Sequence, residues 1–249
     1  MTVGIAHQYK IREKKSRMKS NSLFKDYWED LNLDLDKATV KKISRDVAEK
    51  IILEYEWLGT MSNTSKHYGI FFGNVCGGVV CYGNNCTANF NVPKEFGLTI
   101  KEVWTLARGA CTHWTPKGSA SKLIAQSLKL FKQDVPEAQV VIAYSDTNAG
   151  EIGTVYQATN WYYIGKGNHH TVNFYNKKLG RKFDERMLHN LKEQWKCTRG
   201  EARQRLLDAG WEIEEKAVKH KYIFLLGTRK EKKAVLNKVK VGTYPKRYD

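Results

Sequence analysis

The stretch from Val140 to Lys166 constrains this chain most, because four readable segments follow one another without a break: VVIAYSD, TNAGEIG, TVYQATN and WYYIGK. The first is a short apolar run rich in β-branched residues, the pattern of a strand covered on both faces. It stops at Ser145 and Asp146. Thr147 and Asn148 are helix-capping types and Gly150 supplies a turn. Ile152, Val155, Tyr156 and Thr159 then recur at the spacing of a short amphipathic helix, which Asn160 closes as a left-handed cap. Trp161 to Ile164 returns as a strand. A carboxyl strand end is where open α/β sheets bind ligands, so Asp146 sits at a candidate site with Tyr156 one helix away.

Around this stretch the rest of the chain reads as a mixed α/β body. KATVKKI (37–43) predicts a first strand, and Ser44 caps a helix that runs to about Tyr55 and ends at Gly59. HYGIFFGNVCGGVVCYG predicts a hairpin turning at Gly73 and Asn74. Residues 84–97 read as a loop that can serve as part of a lid, and 102–111 as a further strand with Arg108 near its end. HWTPKGSASKLIAQSLKLF places Gly118 before a helix capped by Ser119 or Ser121. A glycine loop running into a helix start is an anion-binding geometry, since free backbone N–H groups and the positive helix end coincide. Helices are expected over 184–195 and 201–209, and a last strand over 219–227.

Charge points to the partner. The net charge is +16 with a pI near 9.5, which favours an acidic macromolecule, nucleic acid above all. The positive residues crowd both ends: Met1–Lys25 reads as a mobile basic arm and 229–249 as a basic tail. The expected division is an arm at 1–36, a catalytic domain at 37–228 with a helical insertion at about 181–210, and the tail. Five cysteines without a CxxC pair fit neither a disulfide scaffold nor a zinc finger, and Cys76 and Cys81 read as reduced thiols in an apolar segment. No apolar run has membrane-spanning length. A cytoplasmic location, no membrane partner and an open oligomeric state, a homodimer included, are expected.

The order of elements is similar to the Gcn5-related N-acetyltransferase superfamily, whose pyrophosphate loop precedes its main helix and whose helix after the next strand often carries an acidic Tyr. Tyr156 falls at that position. TPKGSA keeps Gly118 and Ala120 of the loop pattern, with Ser119 between them, but has Thr115 where the pattern has Gln or Arg, which argues against acetyl-CoA as donor. YEWLGTM, HYGIFFGNVCGGVV, LARGACTHW with SAS, AYSD and AGEIGTVYQATNWYYIG more closely resemble the Mom family of phage DNA-modification proteins, a divergent branch of that fold. The resemblance implies an enzyme that adds a carbamoylmethyl group to adenine N6 in double-stranded DNA and so blocks host restriction. It implies functional roles for His67, Tyr68, Arg108, one of Ser119 and Ser121, Asp146 and Tyr156, and a location in the bacterial host cytoplasm.

The chemistry is consistent with those residue types. Adenine N6 is a poor nucleophile, so an enzyme must expose it, supply an activated electrophile and take its proton. The base must leave the duplex, with Trp57, Trp114, Trp161 and Tyr163 as candidate stacking partners or core residues. Asp146 can accept the N6 proton, Tyr156 can protonate the leaving group and Arg108 can neutralise a phosphate. His67, Tyr68, Asp146 and Tyr156 also comprise nitrogen and oxygen donors acceptable to a non-haem iron, although their spacing forms no metal motif. The donor is not legible. Two other readings stay open: an acyl-CoA-dependent N-acetyltransferase of a protein or small amine, and a non-catalytic DNA-binding module.

Overall fold

The computed structural model describes residues 6–20, 28–84, 91–167, 172–185, 187–215 and 219–247. These fall into two compact units, one made of Met1–Lys166 with His220–Asp249, the other of Gly167–Lys219.

The first unit is built on a seven-stranded sheet. Its strands are β1 (Thr39–Lys42), β2 (Lys66–Phe72), β3 (Val75–Gly83), β4 (Val103–Cys111), β5 (Val140–Ser145), β6 (Tyr162–Lys166) and β10 (His220–Leu225), in the order β1-β2-β3-β4-β5-β10-β6. All neighbours are antiparallel except β4 and β5. That parallel pair needs a crossover, supplied by helix α4 (Ser119–Asp134). The pleat sends alternate residues to opposite faces. Tyr68, Ile70, Phe72, Val80 and Tyr82 pack with Leu123, Leu128 and Phe131 of α4, whereas Val79, Cys81 and Ala110 pack with Ala48 and Ile52 of helix α2 (Arg45–Tyr55). The sequence runs of β2 and β3 are continuously apolar because both faces are covered.

Local signals read from the sequence recur as geometry. Ser44 accepts the Val47 N–H at the start of α2, and Gly73 turns the β2–β3 hairpin at φ 58°. Asn160 takes φ 59°, the left-handed cap expected of it, and Gly150 turns at φ 69°.

Other expectations are corrected. The arm, expected to be mobile in isolation, contains a helix, α1 (His7–Ser20), that the sequence reading did not place. Its residues have little apolar character of their own; what holds it is contact with the body, Gln8 Nε2 donating to the Gly109 carbonyl at 3.0 Å and Ile11 joining the α2 cluster. In the loop read over 84–97, residues 91–96 form helix α3, with Phe96 buried; 85–90, including Cys86, lie outside the described residues. The basic tail opens with helix α8 (Arg229–Leu236), whose Thr228–Glu231 capping box and buried Val235 fix it. The helix expected from Ile152 to Thr159 shrinks to α5 (Thr154–Gln157). Thr147–Ala149 form a separate 3-10 turn, and Gly153, at φ 77°, starts α5. Neither Ser119 nor Ser121 caps α4. Gly118 holds the cap position at φ 94°, and Ser119 donates its hydroxyl back to the Pro116 carbonyl at 2.7 Å.

The second unit contains a sheet the sequence reading missed. β7 (Val172–Asn176) lies between β8 (Arg181–Asp184) and β9 (Glu212–Glu215), and helices α6 (Met187–Gln194) and α7 (Arg199–Asp208) follow the expected helical stretches. Phe174, Leu188, Ala202 and Leu206 form its core. No helix among the described residues is long and apolar enough to cross a membrane.

Candidate active site

The parallel strands β4 and β5 pair only from Val103–Val140 to Leu106–Ala143. Beyond that point β4 continues to Cys111, pairing with β3, and β5 continues to Ser145, pairing with β10. The two strands therefore part at their carboxyl ends, where an α/β sheet accepts ligands. One row of residues crosses the junction: Tyr82 on β3 opposite Leu106, Leu106 beside Ala143, and Ala143 opposite Tyr222 on β10.

Tyr156 stands at this junction. Its ring lies 5.4 Å from that of Tyr222 and 5.1 Å from that of Trp161. The residue keeps some solvent contact, but its phenol end is enclosed. Burial pushes that phenol well above the ordinary tyrosine range, and Glu151, Tyr82, Tyr222 and Glu56 add to the push. The group is therefore protonated at neutral pH and able to donate a hydrogen bond. Tyr222 fixes the approach, donating its hydroxyl to the Ile152 carbonyl at 2.5 Å; its own phenol is pushed up to about 12, by burial first. Gln157 donates to the same carbonyl at 3.1 Å and to the Tyr222 oxygen at 3.2 Å.

Asp146 directly follows β5 and is 6% exposed, and its backbone carbonyl accepts the N–H groups of Ala149 and Glu151, which bends the chain toward Gly153. The buried hydroxyls of Ser145 and Thr147, on either side of Asp146, have no hydrogen-bond partner, and neither has the buried indole N–H of Trp161 just before β6. Leaving such a group unsatisfied costs about 1–3 kcal/mol. The two hydroxyls flanking Asp146 mark a place able to receive the polar atoms of a ligand.

The other expected site residues are distributed differently. His67 and Tyr68 are consecutive in β2, so the pleat directs them to opposite faces. His67 faces the α2 side, its Nε2 3.0 Å from the Thr64 hydroxyl; burial, then Arg45, holds its pKa below the usual value. Tyr68 lies on the α4 side, fully buried, and donates to Asp134 at 2.9 Å. These four oxygen and nitrogen donors, His67, Tyr68, Asp146 and Tyr156, thus do not converge on one iron ion. Nor does any group of three or more His, Cys, Asp or Glu among the described residues. Arg108 shares the row of His67 and Cys81, and its Nε donates to the Thr60 carbonyl at 2.8 Å.

At the start of α4, Gly118 and Ala120 are exposed, Ser119 is buried and Ser121 is half-buried. Thr115, in the Gln or Arg position of the acyl-CoA pattern, spends its hydroxyl on the Thr112 carbonyl at 2.9 Å. A guanidinium is nonetheless present, since Arg12 donates to the Thr115 carbonyl at 2.8 Å. Of the candidate stacking residues, Trp161 is fully buried, Trp114 lies parallel to Trp28 with centroids 6.0 Å apart, and Tyr163 bonds His220 at 3.0 Å; Trp57 is half-buried. The sequence reading passed over Glu56, a buried carboxylate at the end of α2 that accepts the Leu58 N–H at 2.8 Å and acts on Tyr156. Its only signal was an acid inside the apolar segment YEWLG.

The model of the Mom protein family matches residues 37–246. The chain belongs to the Mom family. Methylcarbamoylase mom of Escherichia phage Mu is 29% identical over 191 residues, covering 75% of this chain and 74% of the relative. Among solved structures, an IAA acetyltransferase from Bacillus cereus shares 11% identity at a TM-score of 0.41, over 76% of this chain and 99% of that one. FeeM, an N-acyl amino acid synthase from uncultured soil microbes, shares 11% at 0.43, over 81% and 97%.

Proposed function

We infer that this member of the Mom family modifies adenine in double-stranded DNA, attaching a carbamoylmethyl group to N6. The observation that carries this reading is the family match across both parting strands and the Tyr156 helix, joined to a curated relative named as a methylcarbamoylase. In the reaction a bond forms between N6 and the methylene carbon of the donor, the bond to the leaving group breaks, and N6 loses a proton. Asp146, at the strand tip, is the acceptor of that proton. Tyr156, held protonated, donates a hydrogen bond that orients the donor and its leaving group. The adenine is extruded from the duplex and enters where β4 and β5 part, its polar edge meeting the unpartnered Ser145 hydroxyl and Trp161 N–H.

Host DNA from cells producing the chain, digested to nucleosides and analysed by mass spectrometry, tests this. An adenosine heavier by the added group supports the reading; unaltered nucleosides with ample soluble protein contradict it. Thr115 in place of the Gln or Arg of the acyl-CoA loop pattern argues against a CoA thioester at the Gly118 start of α4, and acyl transfer from a thioester would form an amide rather than the N6–methylene bond. Calorimetry with acetyl-CoA decides whether that start binds one.

A further inference from the structure

We propose that α1 is a DNA-phosphate contact helix mounted beside the candidate site. The helix precedes the segment matched by the family model. Its two faces are divided with helical periodicity. Gln8, Ile11, Arg12 and Lys15, spaced i, i+3, i+4 and i+7, all point to the body. Gln8 donates to the Gly109 carbonyl, Ile11 joins the cluster of Ile52 and Tyr55, Arg12 donates to the Thr115 carbonyl, and Lys15 pairs with Glu54 at 2.6 Å. Two of these anchors, Gly109 and Thr115, lie on the last part of β4 and just beyond it, where β4 has left β5. The helix is thereby fixed at the edge of the opening rather than at a remote surface.

The opposite face repeats the same spacing with charge. Lys10, Glu13, Lys14 and Arg17 line one shallow groove, all exposed, with Arg17 bonded to Glu13 at 2.6 Å. A helix rises 1.5 Å per residue, so Lys10 to Lys14 spans about 6 Å, over which one DNA strand presents about two phosphates. Cations that merely solubilise a chain need no such arrangement. Here four side chains of the other face are committed to anchoring the helix. A rigid row of cations at the rim of a site that accepts an extruded base would hold the flanking backbone while the base turns inward. The proposal rests on the reading above in taking duplex DNA as the partner and the place where β4 and β5 part as the site.

The test is equilibrium binding of a short duplex by the full chain as a function of salt, which needs no catalysis. Lys10→Gln with Lys14→Gln should lower the slope of log affinity against log salt by up to about 2, at about 0.9 per lost phosphate contact. Lys177→Gln with Lys178→Gln, an equal loss of exposed charge, should leave the slope unchanged. An unchanged slope in the α1 variant, or an equal fall in both variants, overturns the proposal. So does retention of duplex binding with loss of binding to anionic vesicles, which would make α1 a lipid contact. A wild-type chain that binds duplex through α1 yet leaves nucleosides unaltered contradicts the enzyme reading alone.

Discussion

Tyr222 holds Tyr156 in place: the two rings lie 5.4 Å apart, and the Tyr222 hydroxyl is bonded to the Ile152 carbonyl just ahead of the short helix that carries Tyr156. Tyr222→Phe keeps the ring and removes the bond. Because Gln157 still donates to Ile152, the stability cost should stay near about 1 kcal/mol. Product formation should fall by more than that loss explains, as α5 gains freedom. Gly153→Ala should be worse on both counts, since a Cβ there meets the Tyr222 ring and the residue sits at φ 77°. Thermal melts and nucleoside analysis on the same preparations separate the two effects.

Ser145 gives the opposite pattern. Its hydroxyl is buried and unpartnered, so Ser145→Ala should leave the melting temperature unchanged or raise it. If the hydroxyl receives the substrate, the modified fraction falls nonetheless. A variant that is both less stable and fully active would show the hydroxyl to be structural.

Tyr68→Phe distinguishes a packing role from a catalytic one. The phenol is fully buried and donates to Asp134, which Lys42 also pairs at 3.1 Å; although burial opposes it, Lys42 and Tyr68 hold the Asp134 carboxyl below its usual range. Losing a hydrogen bond to a charged group should cost about 1.5–3 kcal/mol, read as a lower denaturation midpoint. Modification per folded molecule should be unchanged.

Acid should weaken the fold in a defined window. His67 and His220 are both held below the ordinary histidine pKa by burial, with Arg45 and Lys166 adding repulsion. The unfolded chain then binds more protons than the folded one just below about pH 6.5, so stability is full above that value and declines as pH falls. Melting temperature followed from pH 7 to pH 5 should show the decline, and His67→Gln with His220→Gln should flatten it.

The central stretch was legible because its signals are local. An apolar β-branched run, a turn glycine and an Asn in the left-handed region each fix structure within a few residues. Helix α1 was not, because its stability comes from anchors about 100 residues away in sequence, such as Gln8 to Gly109. The strand Glu212–Glu215 has three acids in four residues, and its place is set by pairing with β7, which lies about forty residues earlier in the chain. The resemblance implies roles for both His67 and Tyr68, yet their adjacency in a strand sends them to opposite faces of the sheet. The cluster around Tyr156 draws on α2, β3, β10 and the Gly150 turn at once, a convergence no window of sequence contains.

The most direct measurement is the amount of modified adenosine in DNA from cells producing equal soluble levels of the wild-type chain and of Tyr156→Phe. Replacing the protonated phenol while keeping its ring should abolish the heavier nucleoside with the melting temperature little changed. Undiminished modification by Tyr156→Phe would contradict the assignment of the site to the place where β4 and β5 part.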